Sequence, residues 1–259
     1  MKKIQITSVA QQFDSFFEDA AKSSVIELRL KIKQLETEYD ELYDELRNVL
    51  DEKELEVTEY DPIPSDKEQE LYSDIANLEH EVSLSKEKLL ALMEMQVISL
   101  YKSYEIAQKE LLSTAYKDVN KKDMYSWDNV KAFFNSKGFN FGRIQGYGYI
   151  NQLRVVNNNI KHSLEIDDSV KRLRLNCFND AIYFTADSLE NFYKRVNKEV
   201  PAFLNTLSAL IIKDLYEYDD QRLESIAKSY KEKMDKDTLA NFSKLISKEV
   251  NALPNGIKW

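Results

Sequence analysis

An all-α fold with a long antiparallel coiled-coil hairpin is the architecture this sequence predicts. Three observations carry that prediction. Five glycines and four prolines in 259 residues, with 31% charged residues, favour long helices over turn-rich β structure. Two stretches, Val25 to Val49 and Leu71 to Leu92, repeat apolar residues at heptad spacing. From residue 66 to about 118 neither Gly nor Pro occurs, so one helix of ~80 Å is permitted at 1.5 Å per residue.

The first element expected is a short amphipathic helix over 8–22, with Val9, Phe13, Phe16, Phe17 and Ala20 on one side. The heptad seam follows. Val25, Leu28, Ile32, Leu35, Tyr39, Leu42, Leu46 and Val49 alternate spacings of three and four, with charged residues filling most positions between them. The stretch 58–65 stops it, because Pro62 and Pro64 remove donors and restrict the residues before them. Ser65 and Glu68 have the spacing of a capping box that opens the next helix. Leu71, Ile75, Leu78, Val82, Ser85, Leu89 and Leu92 resume the seam, so the two helices are expected to fold back on each other. Beyond residue 89 the helix broadens its apolar surface through Met93, Val97, Leu100, Tyr104 and Leu111, as a helix entering a globular bundle does.

Residues 121–126 read as a linker, with Ser126 the N-cap of a helix over 127–137 and Gly138 its stop. Gly138, Gly142, Gly146 and Gly148 crowd into eleven residues. They match neither G-x-G-x-x-G nor a Walker ending, so they read as a loop that redirects the chain. A helix over 147–164 follows, then a break at 165–169. Residues 170–175 read as strand, extended loop or a first helical turn. Helices are expected over 179–198 and from Pro201 to Leu215, then two amphipathic helices carrying Leu223, Ile226, Tyr230 and Met234, and Leu239, Phe242, Ile246 and Val250. The expected division is 1–88 for the N-terminal helix and hairpin, 89–218 for the bundle and 219–259 for a C-terminal extension.

Composition bounds the function classes. A hydrophobic content of 43% supplies a core, and the net charge of -9 argues against a protein that coats nucleic acid by bulk electrostatics. A local basic cleft stays open. Cys177 is the single cysteine, which suits a reducing cytoplasm. The start Met-Lys-Lys-Ile-Gln lacks the apolar core of a signal peptide, and no apolar run nears the ~20 residues that span a bilayer. A cytoplasmic protein without membrane contact is expected. Two histidines and one cysteine, far apart, form no zinc spacing, and no cofactor motif is present, so no metal or cofactor is expected.

Chemistry concentrates on the helix over 147–164. At ~100° per residue, Leu153, Val156, Ile160 and Leu164 share one side, and Arg154, Asn158, Lys161 and His162 share another. A histidine can exchange a proton near neutral pH, and a guanidinium can hold a phosphate with a planar fork. Asn158 between them can orient either group, and Lys161 adds charge at the same end. Metal-free RNA cleavage needs these roles: a base for the 2'-hydroxyl, an acid for the leaving oxygen and cations for the pentavalent phosphate. Read alone, the same file also serves as a polar network at a subunit interface. His80, opposite Leu78 and Val82, reads as a solvated helix residue.

The segment Arg154…Asn158-x-x-Lys161-His162 resembles the last-helix signature of HEPN domains, small all-helical domains of prokaryotic defence and toxin–antitoxin systems. The family usually leaves four to six residues between Arg and His; here seven intervene, and Val155 stands where a polar residue is common. The resemblance implies a HEPN-like bundle over about 90–215 and a metal-independent endoribonuclease. It further implies that Arg154 grips the scissile phosphate and His162 moves the proton in the cleft of a homodimer, with Asn158 and Lys161 assisting. The position two past the histidine, a modified tyrosine in some of these toxins, is Leu164 here, so that mode of control is not expected. The alternative expectation is a non-catalytic scaffold subunit whose hairpin binds a partner protein.

Overall fold

The computed structural model describes residues 2–13, 18–56, 64–117 and 119–252; these form ten α-helices and two short 3-10 turns, with one isolated β-bridge. The fold is all-α.

Helix α1 (Lys2–Gln11) lies earlier than expected, and α2 (Glu18–Glu56) is separate from it. The helix expected over 8–22 is corrected accordingly. Its register is fixed by Ile6 and Ala10, one turn apart and 0% and 2% exposed, so burial outweighs the apolar spacing of Val9 and Phe13. Phe16 and Phe17 lie outside the described residues.

Helices α2 and α3 (Asp66–Ala115) form the antiparallel hairpin. Lys67–Glu45 (3.0 Å), Tyr39–Glu79 (3.1 Å) and Lys86–Glu36 (2.7 Å) step backwards along α2 as α3 advances. Val25, Ile32, Leu35, Leu71, Ile75 and Leu89 are buried in the seam. Leu46 packs with Leu71 and Ile75, joined by Tyr39, Leu42 and Val49. Residues 57–63, Pro62 included, lie outside the described residues. The capping box is formed: the Glu68 amide donates to Ser65 Oγ (3.3 Å), and the Ser65 amide donates to the Glu68 carboxylate. Among the described residues no helix is long and apolar enough to cross a membrane.

Two compact units group residues from separate parts of the chain. This spatial grouping crosses the chain-order division at 88 and 218. The first unit holds 1–12, 107–144 and 203–259. Its helices are α1, the end of α3, α4 (Trp127–Ser136), most of α8 (Glu199–Tyr216), α9 (Asp220–Lys233) and α10 (Lys236–Asn251). Phe134 stacks on Phe141 at 4.8 Å, and Phe203 meets Phe141 edge-on at 5.9 Å. Ser208 Oγ donates to the Ile6 carbonyl, tying α1 to α8. Ser126 caps α4 by accepting from the Asn129 amide, and Gly138 at φ 82° turns the chain after it, both as expected. The two amphipathic helices are α9 and α10, opened by Asp219 and Asp235 and touching through Tyr230 and Phe242 at 4.9 Å.

The second unit holds 13–106 and 145–202. It comprises the hairpin, α5 (Tyr147–His162), α6 (Asp168–Lys171) and α7 (Ala186–Val196). The helix expected over 179–198 begins only at Ala186. Residues before it first turn, with Asp180 left-handed at φ 58°, and then run non-helically to Thr185, the Ile166 amide donating to the Ile182 carbonyl at 2.8 Å. Thr185 and Ser188 then form a reciprocal capping box, which starts α7. Arg29 of α2 binds Asp187 (2.8 Å) and Glu190 (2.6 Å) of α7.

Candidate functional site

Helix α5 belongs to the second unit. Gly146 precedes it at φ 88°, a left-handed position that glycine fills without strain. Ile150, Leu153 and Val156 are 0% exposed, so one side of the helix is core. Asn157 (0%) and Asn159 (2%) are also buried.

Asn159 has a defined structural task. Its Nδ2 donates to the Glu165 carbonyl (2.9 Å), and its Oδ1 accepts from the Asp167 amide (3.1 Å). Both groups belong to the chain that leaves the helix. Ser163, extended at φ -148°, closes the same turn by donating from Oγ to the Glu165 carbonyl at 2.7 Å. This exit also corrects the wheel. Leu164, expected on the apolar stripe, is 90% exposed, because the helix stops at His162 and Ser163 rotates the next residue outward.

The four candidate residues divide by exposure. Asn158, Lys161 and His162 are exposed, and Arg154 is half-buried. The Arg154 guanidinium donates from Nη2 to Asn151 Oδ1 at 3.1 Å, one turn earlier. It also lies within electrostatic reach of Tyr101 on α3, whose hydroxyl pKa burial pushes up, the Glu105 carboxylate adding to the rise and Arg154 opposing it. Lys161 and His162 occupy the last turn, where the helix carboxyl end favours positive charge. Asn158 Oδ1 accepts from Asn157 Nδ2 at 3.1 Å, which links the exposed amide to the buried one.

Eight helical steps, with seven residues between, carry His162 about 12 Å along the axis from Arg154 and about 80° around it. Lys161 falls almost above Arg154, seven residues being about 20° short of two turns. Within one chain the guanidinium and the imidazole are therefore splayed, with Asn158 between them. Arg154 is anchored against the core, while His162 stands at the open end.

Sequence reasoning missed Asn157, Asn159 and the charge cluster of Arg29 with Asp187 and Glu190. Asn157 was legible: on the wheel it falls between Leu153 and Ile150, inside the apolar stripe. The Arg29 cluster joins residues more than 150 positions apart, so no local pattern signals it.

Two cavities also belong to this unit. One, of about 650 Å³, lies at the root of the hairpin between Ile32, Leu89, Phe184 and Asp187. The other, of about 390 Å³, lies between α6 and the segment 174–182. Neither is lined by Arg154, Asn158, Lys161 or His162. No protein-family model matches the chain, and no curated protein or solved structure matches it.

Proposed function

We propose that the chain is a metal-independent endoribonuclease of a bacterial defence or toxin system, with α5 as its phosphate-handling helix. The observation that carries the reading is the exposure of Asn158, Lys161 and His162 on a helix whose other side buries Ile150, Leu153 and Val156. A rigid core behind an exposed cationic and imidazole surface is what phosphate positioning needs. In this reading Arg154 holds the scissile phosphate, His162 carries the proton, and Asn158 and Lys161 orient and assist. The splay between Arg154 and His162 supports a shared site, in which the arginine of one copy and the histidine of a second meet on one phosphate. The reading includes a homodimer and a cytoplasmic setting, the latter in keeping with the lone, half-buried Cys177.

The test is cleavage of RNA in EDTA by wild type, His162→Ala and Arg154→Ala, with analysis of product ends. Cleavage by wild type alone, leaving 2',3'-cyclic phosphate, is expected. Equal cleavage by all three proteins refutes the assigned roles.

A second reading has its own support. Leu30 (59% exposed), Tyr43 (46%), Tyr72 (48%) and Leu84 (40%) project from the hairpin outside its seam. They favour a scaffold subunit that docks a partner protein along the arm. Wild-type protein that leaves RNA intact, folded and in one oligomeric state, would move the balance to this reading.

A further inference from the structure

The cavity between α6 and the segment 174–182 has the make-up of a small-ligand site. Its floor is apolar, from Val170, Leu175 and Phe178, which are 1%, 3% and 5% exposed. Phe178 is held edge-on to Phe184 at 5.1 Å and against Phe192 at 5.4 Å, so that floor is rigid. Around it stand Lys171, Arg174, Asn179 and Asp180. At about 390 Å³ the space is within the range of pockets that enclose small ligands, and a few polar groups over an apolar floor is their usual lining.

Backbone geometry singles out the same place. Arg174 at φ 50° and Asp180 at φ 58° are the non-glycine residues with positive φ among the described residues, and both line this one cavity. For arginine in particular the left-handed region is disfavoured, and such conformations gather at ligand clamps. The cavity is also tied to the exit of α5. Asn159 fixes Glu165 and Asp167, and the Ile166 amide grips the carbonyl of Ile182, which lines the cavity wall.

We propose that this cavity binds one ribonucleoside monophosphate unit. Lys171 and Arg174 take the phosphate, since two cations over one mouth suit a dianion. Asn179 and Asp180 accept from or donate to the sugar hydroxyls and base edge, and the apolar floor receives the base face. The pocket stands on its own chemistry. It rests on the ribonuclease reading only for taking that unit as part of an RNA strand.

The experiment is calorimetric titration of the full chain with 5'-AMP, adenosine, inorganic phosphate and a 2'-O-methylated five-nucleotide RNA that cannot be cleaved. AMP is expected to saturate at one site per chain, with adenosine and phosphate each at least about tenfold weaker. Lys171→Ala and Arg174→Ala each weaken AMP about tenfold. Arg174→Gly relieves the backbone, so it is expected to raise the melting temperature while it loses the same AMP affinity, which separates binding from folding. Absence of saturable AMP binding, or an affinity unchanged in both Arg174 variants, overturns the proposal. Binding of the RNA weakened by the same variants identifies a strand as the source of the unit; AMP binding without RNA binding identifies a free nucleotide. Cleavage of RNA by a protein that binds no AMP removes the pocket and leaves the ribonuclease. Saturable AMP binding by a protein that cleaves no RNA does the reverse.

Discussion

Replacing Asn159 by alanine isolates the link between the helix and everything after it. The side chain is 2% exposed and makes two hydrogen bonds to backbone groups, one to the Glu165 carbonyl and one from the Asp167 amide. Truncation removes both bonds and strands a donor and an acceptor. A made bond contributes about 1 kcal/mol net, and an unsatisfied buried group costs about 1–3 kcal/mol. Ser163 Oγ still reaches the Glu165 carbonyl, so the acceptor keeps one partner and the loss concentrates on the Asp167 amide. The expected destabilisation is therefore about 2–4 kcal/mol. Leu164→Ala, at a position 90% exposed just beyond the helix, should stay within about 0.5 kcal/mol and serves as the control. Urea unfolding followed by far-ultraviolet circular dichroism gives both values, and amide exchange at Ile166 and Val170 reports the local opening. An Asn159→Ala protein as stable as Leu164→Ala, with unaltered exchange at those amides, would refute the idea that this side chain pins the exit of α5.

Three further outcomes follow from the packing and the ion pairs. Phe134→Ala removes a ring 1% exposed and stacked on Phe141, and should cost about 3–5 kcal/mol in the same unfolding measurement. Arg29→Ala breaks two ion pairs whose members are partly solvated, so the loss should stay below about 1 kcal/mol and shrink further in molar salt. Its hydrogen bond to Asp187, foremost, raises the guanidinium pKa above its ordinary value. A raised pKa gives stability that is lost only as pH climbs through that value, so the Arg29 contribution should be flat from about pH 6 to about pH 9. Asp235 behaves in the opposite sense. The Thr238 amide lowers its carboxyl pKa below the ordinary 3.8, so the cap of α10 is intact above that value and lost as pH falls through the depressed one. Acid titration followed by nuclear magnetic resonance of the Thr238 amide should show this release, and Asp235→Asn should make the amide insensitive to acid.

Local signals carried much of the architecture into the sequence. Heptad spacing gave α2 and α3, Ser65 and Ser126 gave caps that the structure forms, and glycine marked the ends around α4 and α5. What stayed hidden depended on distant partners. The helix at the N-terminus settles on Ile6 and Ala10 because of burial, not because of its own periodicity. The segment 179–185 looks apolar enough for helix, yet it turns at Asp180 and then gives the Ile182 carbonyl to the distant Ile166 amide. In the candidate site the wheel separated core from surface along α5, and Leu164 departed from it only because Ser163 ends the helix. The positive φ of Arg174 has no local signature, since neither arginine nor its neighbours announce a left-handed turn.

The tie between α1 and α8 has a consequence for biosynthesis. Ile6 is fully buried, and its carbonyl receives the hydroxyl of Ser208, two hundred residues later. A ribosome delivers the first helix long before the surface that shelters it exists. During that interval α1 can keep neither its partner nor its burial, whereas the hairpin needs only its own two strokes of chain to close. The hairpin can therefore close before α8 has been made, whereas α1 docks only after it. An amino-terminal fusion or tag would accordingly be felt late, as a failure of that docking, with the hairpin already formed.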